Sequence, residues 1–347
     1  MIKIQNITLG LDEREELLKE KAAKILSVSQ DQIKGLQIEK ESIDARKKPL
    51  KFVYSILIQI EDEDIVLRTV KNPQVMKYET PDTTPLERGV EKLRERPIVV
   101  GLGPSGLFAG LKLARAGYRP IILEQGEDME KRDQSVDKFM QTGILNPRSN
   151  IQFGEGGAGA YSDGKLTTRI KDPRVFEVLD TLIRHGAPDE IAYQAKPHVG
   201  TDLLKGIVVD IRKEIIALGG DIYFNTAFTG LELKEGQLSS IKTTMGDLPC
   251  EILLLALGHS ARVTYEMLFN SGVAMEAKPM AMGVRVENLQ WRINESQYGS
   301  VYKHPRLRPA EYNLKHKLQN GRGVYSFCMF TGGIVVPAAS EEGMVAV

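Results

Sequence analysis

Near the middle of the chain, Gly101-Leu102-Gly103-Pro104-Ser105-Gly106 follows directly on four apolar residues, Pro97 to Val100. A helical run from about Ser105 to Ala116 comes next, stopped by Gly117, and a second apolar segment, Ile121 to Leu123, ends on Glu124 with Gln125 beside it. Each glycine has a task in a strand–turn–helix. Gly101 permits the tight turn, and Gly103 carries no Cβ to hold a phosphate away from the backbone. Gly106, with Gly110 a turn later, lets the helix lie close on the strands. The helix N-terminus presents free N–H groups and a partial positive charge, which suit a pyrophosphate. Glu124, 23 residues after Gly101, stands where a carboxylate can accept hydrogen bonds from a ribose diol. The spacing predicts a dinucleotide-binding βαβ unit.

Other chemistry-bearing residues fall into place around this unit. A charged helix over 127–141 carries Arg132, placed to meet a phosphate or an adenine. Asn150 to Thr168 (NIQFGEGGAGAYSDGKLTT) holds four glycines between Gly154 and Gly159, a density that suits close approach of backbone to a ligand. It lacks the spacing of a P-loop and predicts a loop lining a cofactor or substrate. Lys165 after that loop, and His259 after Gly258, are the polar groups expected to face the bound molecule. His185, His198, His259, His304 and His316 show no ligand spacing, so no metal is predicted. Cys250 and Cys328 are far apart and cannot form a CxxC pair; Cys328 reads as a buried apolar residue rather than a nucleophile.

The elements that position these groups come from the apolar pattern. Thr201 to Leu218 reads as an amphipathic helix with Thr201 as N-cap and Gly219-Gly220 at its end. Asp221 to Phe224 is a strand, followed by alternating segments at 229–234 and 238–244 around a Glu235-Gly236-Gln237 turn, then by a buried strand from Glu251 to Gly258. Residues 1–85 read as a separate small α+β, ferredoxin-like domain: a strand at Ile2–Leu9, a helix at Leu11–Val28, and strands at Gln37–Ala45 and Phe52–Ile60. Its Arg46-Lys47-Lys48 cluster raises nucleic acid as a partner, but acidic residues nearby match the basic ones, so that reading is disfavoured. Residues 72–96 are rich in Pro, Thr and charge and read as connecting chain, with the linker proper at 86–96.

Totals narrow the class. At 347 residues the chain is long enough for two or three domains, and 46 basic residues balance 46 acidic ones, so net charge singles out neither nucleic acid nor an anionic membrane. Cysteine usage fits a reducing cytoplasm, the N-terminus lacks the apolar core of a signal peptide, and no apolar run reaches about eighteen residues. The expectation is a cytoplasmic protein without a membrane partner.

The order of these elements resembles the two-dinucleotide-binding-domain flavoproteins related to glutathione reductase. The likeness rests on Gly101-x-Gly103-Pro104-Ser105-Gly106 with Glu124, on the meander preceded by Asn225-Thr226-Ala227-Phe228, and on Leu254-Leu255-Ala256-Leu257-Gly258. That last segment sits at the family's Ala-Thr-Gly position, with Leu257 for the threonine. The segments GEGGAGAYSDGKLTT, LGHSARVTYEML, KPMAMGVRVE and RGVYSFCMFTGG resemble a bacterial branch described as FAD-dependent dehydrogenases. The resemblance implies a Rossmann-like FAD-binding α/β domain with a β-meander crossover over 97–262 and part of a substrate domain over 263–347. FAD would lie on the Gly101–Gly106 turn and Glu124, with backbone near Phe228 meeting the adenine and Ala256 and Gly258 allowing close approach from the other side.

With a single GxGxxG there is no second domain for NAD(P)H, which enters only as an electron donor. The branch's Cys-Met-Cys-Pro-Gly-Gly is Cys328-Met329-Phe330-Thr331-Gly332-Gly333 in this chain, so no paired thiol is implied. The branch also continues past Val347, which implies either a fragment or a flavin site short of one wall. The expected function is an FAD-dependent oxidoreductase acting on a small-molecule substrate, its catalytic residues and oligomeric state unassigned. The alternative is a dinucleotide-binding protein with little redox activity whose N-terminal domain engages RNA or a protein.

Overall fold

The computed structural model describes all residues except 81–88, 163, 169, 171, 327–328, 330, 332–334 and 345–347. Cys328 and Asp163 therefore lie outside the described residues.

The first unit is a βαββαβ sandwich: β1 (Ile2–Gly10), α1 (Leu17–Leu26), β2 (Ile33–Asp44), β3 (Lys51–Ile60), α2 (Glu63–Thr69) and β4 (Val75–Lys77). Its antiparallel sheet runs β2-β3-β1-β4. Alternation in β3 turns Phe52, Tyr54, Ile56 and Ile58 inward onto Leu18, Ala22 and Leu26 of α1. In β1 the inward residues are Ile2, Ile4, Ile7 and Leu9, a spacing that breaks strict alternation. A register shift between Ile4 and Ile7, with Asn6 at φ 59°, absorbs the extra residue. The helix begins at Leu17, six residues later than the apolar pattern suggests. Strand β4 comes from the stretch that composition marks as connecting chain, and pairs with β1 through Ile2–Ile4.

The second unit contains β5 (Ile98–Val100), α3 (Pro104–Arg115), β6 (Ile121–Leu123), α4 (Met129–Thr142), α5 (Arg174–Arg184), α6 (Thr201–Ala217), β7 (Asp221–Tyr223), β8 (Phe228–Lys234), β9 (Gln237–Thr243), β10 (Gly246–Pro249), β11 (Leu253–Leu255) and α7 (Arg262–Asn270). Four parallel strands run in the order β11-β5-β6-β7, giving the α/β architecture expected of a dinucleotide unit. The two inner strands, β5 and β6, are largely buried on both faces. Val99 and Ile122 point to α3 and α6, where Leu107, Leu111, Ile211 and Ile215 meet them. Ile98, Val100 and Leu123 point the other way, into a layer made by the β8-β9-β10 meander and α7 (Phe228, Ile241, Cys250, Leu268). Gly110 faces Ile122, whose Cδ1 stands 2.3 Å from where a Cβ would be.

Three details differ from the sequence reading. Strand β10 adds a third strand to the crossover. Leu268 and Val273 pack under the meander, so this unit reaches beyond Arg262 to about Val273. Thr201 does not cap α6; Gly200 holds that position, and the Thr201 hydroxyl donates to Ser162 O at 2.7 Å.

The rest comprises α8 (Gln290–Tyr298) and a hairpin of β12 (Lys315–Lys317) and β13 (Gly323–Tyr325). Residues 290–311 pack on the N-terminal unit. Tyr298 and Ala310 are buried with Leu50, and Arg306 donates to Leu11 O (2.9 Å), Glu13 O (2.6 Å) and the Tyr54 hydroxyl (3.2 Å). The edge of β2 is covered as well: Glu41 N–H donates to Tyr193 O (2.8 Å), and Ala195 N–H donates to Glu41 O (2.9 Å). The N-terminal unit is thus bolted to the rest at two places.

Candidate functional site

A cleft of about 540 Å³ opens at the carboxyl ends of β5, β6 and β11, where the strand order changes direction from β5. Open α/β sheets bind ligands at this place, because loops leaving neighbouring strands diverge and leave a crevice. The volume falls within the usual range of roughly 300–1,000 Å³ for small-molecule sites.

The floor is the glycine turn. Gly101 has φ 100°, and a Cβ there would stand 2.3 Å from Ala256 O of the neighbouring strand end. A Cβ on Gly106 would stand 1.8 Å from Gly101 O. Both positions therefore require glycine, and their effect is to draw the first turn of α3 onto the strand ends. Gly103, Pro104 and Ser105 line the cleft, and Gly103 is the residue from which α3 starts. Pro104 at the first helical position lacks an N–H that would go unpaired in any case. The twelve-residue helix directs its unpaired N–H groups and dipole into the cleft. A pyrophosphate matches that arrangement in charge and geometry.

The far side is the end of β11. Ala256 N–H donates to Val100 O (2.8 Å), and Ala256, Gly258 and His259 line the wall. Gly258 has φ 70°, and its carbonyl accepts the Tyr265 hydroxyl at 2.6 Å. His259 is on the cleft as expected, its Nε2 3.2 Å from Ser260 Oγ. Phe228 and Gln125 also line it, with Thr226. The third wall is the glycine-rich segment: Gln152, Phe153, Gly154, Gly157, Ala158 and Gly159 face the cleft. Gln152 falls inside the Asn150–Thr168 segment and Tyr265 inside LGHSARVTYEML, but the sequence reading singled out neither side chain.

Three residues singled out from the sequence have other positions or duties. Arg132 is fully buried and does not line the cleft. Its Nε donates to Asn150 O (2.9 Å), Nη2 to Ile151 O (3.2 Å) and Nη1 to Glu155 O, and its guanidinium lies 4.7 Å from the Tyr161 ring centre. It holds the third wall from behind, with its guanidinium engaged by the 150–155 carbonyls rather than turned to the cleft. Burial pulls its pKa down, against the opposing pull of nearby acidic groups. Lys165 is also absent from the cleft wall; it pairs with Glu311 at 3.2 Å, and Lys196 pairs with the other oxygen at 2.9 Å. Glu124 does reach the cleft but is already engaged. Its Oε2 accepts Leu102 N–H (2.8 Å), and its Oε1 accepts Gly126 N–H (2.9 Å) and Gly154 N–H (3.1 Å).

Two further buried groups shape the surroundings. Glu155 has no exposed surface; Oε2 accepts Met129 N–H at 2.7 Å, and Oε1 sits 3.2 Å from Arg212 Nε without hydrogen-bond alignment. Burial pushes its pKa up. Cys250 lies beneath the meander, and burial raises its thiol pKa to about 11, which leaves it protonated and unreactive at neutral pH.

The basic cluster of the N-terminal unit is largely spoken for. Arg46 pairs with Asp44 (2.8 Å), and Lys48 donates to Tyr298 O. Both aromatic residues of this sheet, Phe52 and Tyr54, lie in the core, so its outer face carries no platform for base stacking. Among the described residues no group of three His, Cys, Asp or Glu could hold a metal ion, and no helix is long and apolar enough to cross a membrane.

Comparison with known proteins adds three findings. Residues 279–347 match the family model "FAD-dependent protein, C-terminal domain-like", and residues 1–59 match a domain of unknown function. An uncharacterized protein of Clostridium beijerinckii is 50% identical over 344 residues, covering 99% of this chain and 64% of the relative, so the chain spans less than two thirds of that protein's length. Among solved structures, glycine oxidase from Bacillus cereus (11% identity, TM-score 0.34, covering 51% of this chain and 60% of that one) and THI4 from Thermovibrio ammonificans (16% identity, TM-score 0.34, 51% and 62%) are similar.

Proposed function

We propose that this chain binds FAD in the cleft at the ends of β5, β6 and β11 and acts as an FAD-dependent oxidoreductase. The observation that carries the reading is the cradle itself. Gly101 and Gly106 are fixed as glycines by contacts under 2.5 Å to a would-be Cβ, and they bring the N-terminus of α3 to the mouth of a parallel sheet. The pyrophosphate would lie over Gly103–Gly106, the ribose beside Glu124, and the adenine near Phe228, with Ala256 and Gly258 bounding the other side. The three-stranded crossover between β7 and β11 favours a flavin dinucleotide over a nicotinamide one, because it is the element shared with the flavoprotein group that the sequence resembles. The match of residues 279–347 to an FAD-dependent family model supports the same choice.

When bound, FAD supplies hydride transfer, between its flavin and a small organic substrate or NAD(P)H. The protein's share is binding and orientation. The helix dipole and turn amides hold the diphosphate, and the apolar layers on both sheet faces keep the strand ends rigid. His259 is a cleft-lining imidazole that could exchange a proton with a substrate. Denaturing the purified protein and identifying the released cofactor by mass tests this reading, with a parallel titration of ligand-free protein by FAD and by NAD. FAD released or bound tightly, with turnover of NADH or NADPH, is the expected result. Binding of NAD with none of FAD overturns it.

A further inference from the structure

We infer that Glu124 is a positioning residue that clamps the glycine turn, the loop after β6 and the glycine-rich wall together before any ligand arrives. Its own strand end needs no such fastening, since the Glu124 N–H and C=O are paired with Tyr223 O and Thr226 N–H (both 2.9 Å). The carboxylate instead collects three N–H groups from three chain segments. Leu102 belongs to the glycine turn, Gly126 to the loop after β6, and Gly154 to the glycine-rich wall. The group is 5% exposed, so these bonds form away from bulk water, where leaving a donor unpaired is costly. A carboxylate offers about four acceptor positions. Three are filled, two on Oε1 and one on Oε2. One position on Oε2 remains for the cleft, enough for a single ribose hydroxyl rather than both. The carboxylate's main duty is therefore to the protein, and its contact with the nucleotide is secondary. This assignment rests on the proposed dinucleotide reading only for that last contact.

The substitution Glu124→Gln separates the two roles. An amide can still donate to a ribose hydroxyl, so a residue acting on ribose alone would be little affected. The amide cannot serve all three N–H groups: in one orientation its NH₂ meets the Leu102 N–H donor to donor, and in the other it meets Gly126 and Gly154. Residue-resolved hydrogen exchange on the ligand-free protein is the first readout. In the parent, the Leu102 and Gly154 amides should be protected well beyond ordinary loop amides. In the variant, at least one of the three clamp amides should exchange roughly 10- to 100-fold faster, the range expected for a lost buried hydrogen bond. A remote core amide such as Ile58 should be unchanged, which a general loss of structure would not produce. FAD titration of the same samples should show affinity weakened by about tenfold or more.

If the parent's Leu102 and Gly154 amides exchange at loop rates, or if all three clamp amides exchange in the variant as they do in the parent, the clamp is refuted. The parent measurement decides the matter even if the variant does not fold. A parent that binds no FAD overturns the proposed function and leaves the exchange test of the clamp intact.

Discussion

Replacing Arg132 by methionine should destabilise the ligand-free protein by about 3–5 kcal/mol. The guanidinium donates to three carbonyls of the 150–155 segment and is fully buried. Methionine has a similar length and no donors, so the volume is kept and no large cavity opens. What is lost is pairing. Each buried carbonyl left without a donor costs about 1–3 kcal/mol, and the contact with the Tyr161 face adds about 0.5–2 kcal/mol. Against this stands the cost of burying a guanidinium, several kcal/mol, which the variant no longer bears. The pairing lost to three carbonyls outweighs that relief, and the net is about 3–5 kcal/mol. Urea unfolding followed by circular dichroism, without added nucleotide, measures it. Arg132→Lys should fall between, since one ammonium cannot span three carbonyls. A loss below about 1 kcal/mol without ligand, together with a large loss of nucleotide affinity, would refute the reasoning, because that pattern belongs to a side chain that touches ligand and not to one that holds a wall.

Two other perturbations follow from the packing and the charges. Gly106→Ala places a Cβ 1.8 Å from Gly101 O; it should lower unfolding free energy by about 1–3 kcal/mol and abolish measurable FAD binding, and an unchanged titration curve would contradict the cradle geometry. Glu155→Gln tests a linkage. The folded carboxyl has a pKa raised above its ordinary value of 4.5, so the folded state holds the proton more tightly than the unfolded one. This group's contribution is most favourable below about pH 4.5 and is lost as pH rises through the folded value. The variant lacks the proton and the slope, so its stability relative to the parent should rise with pH across that window; urea midpoints at stepped pH values that run parallel for the two proteins would disprove the assignment.

The parts of this protein that were legible in the sequence are those governed by local pattern. The α3 boundaries, the glycine turn and the parallel strands could be read because apolar runs, Gly101 to Gly106 and Gly117 act through backbone geometry within a few residues of themselves. Glu124 was found for the same reason, its place at the end of β6 being set by strand length. Its dominant bonds were not foreseeable, because Leu102, Gly126 and Gly154 contribute backbone N–H groups, which every residue has and no side-chain pattern announces. Arg132 misled in the same way: its partners are carbonyls, and nothing in a helix of mixed charge distinguishes an arginine that faces inward. Strand β4 was read as connecting chain since three residues are too few to show alternation, and β10 was missed for a like reason. The N-terminal unit's attachment to residues 193–195 and 304–311 joins segments hundreds of residues apart, beyond the reach of any periodicity.

That attachment has a consequence for synthesis. The N-terminal unit is complete once roughly eighty residues have left the ribosome, yet its β2 edge and the Leu11–Glu13 carbonyls ahead of α1 wait for partners encoded much later. Arg306 lies 295 residues beyond the Leu11 carbonyl that it caps. At about 5–20 residues per second, roughly 15–60 seconds pass before that arginine is made. The β2 edge waits a shorter time, roughly 8–30 seconds at that rate, for residues 193–195; until then an open strand edge stands beside other nascent chains, the situation in which sheets pair with the wrong partner. Slowing elongation ahead of residue 193 would therefore be expected to lower the soluble yield, and a chaperone that occupies strand edges would act on this protein chiefly during that window.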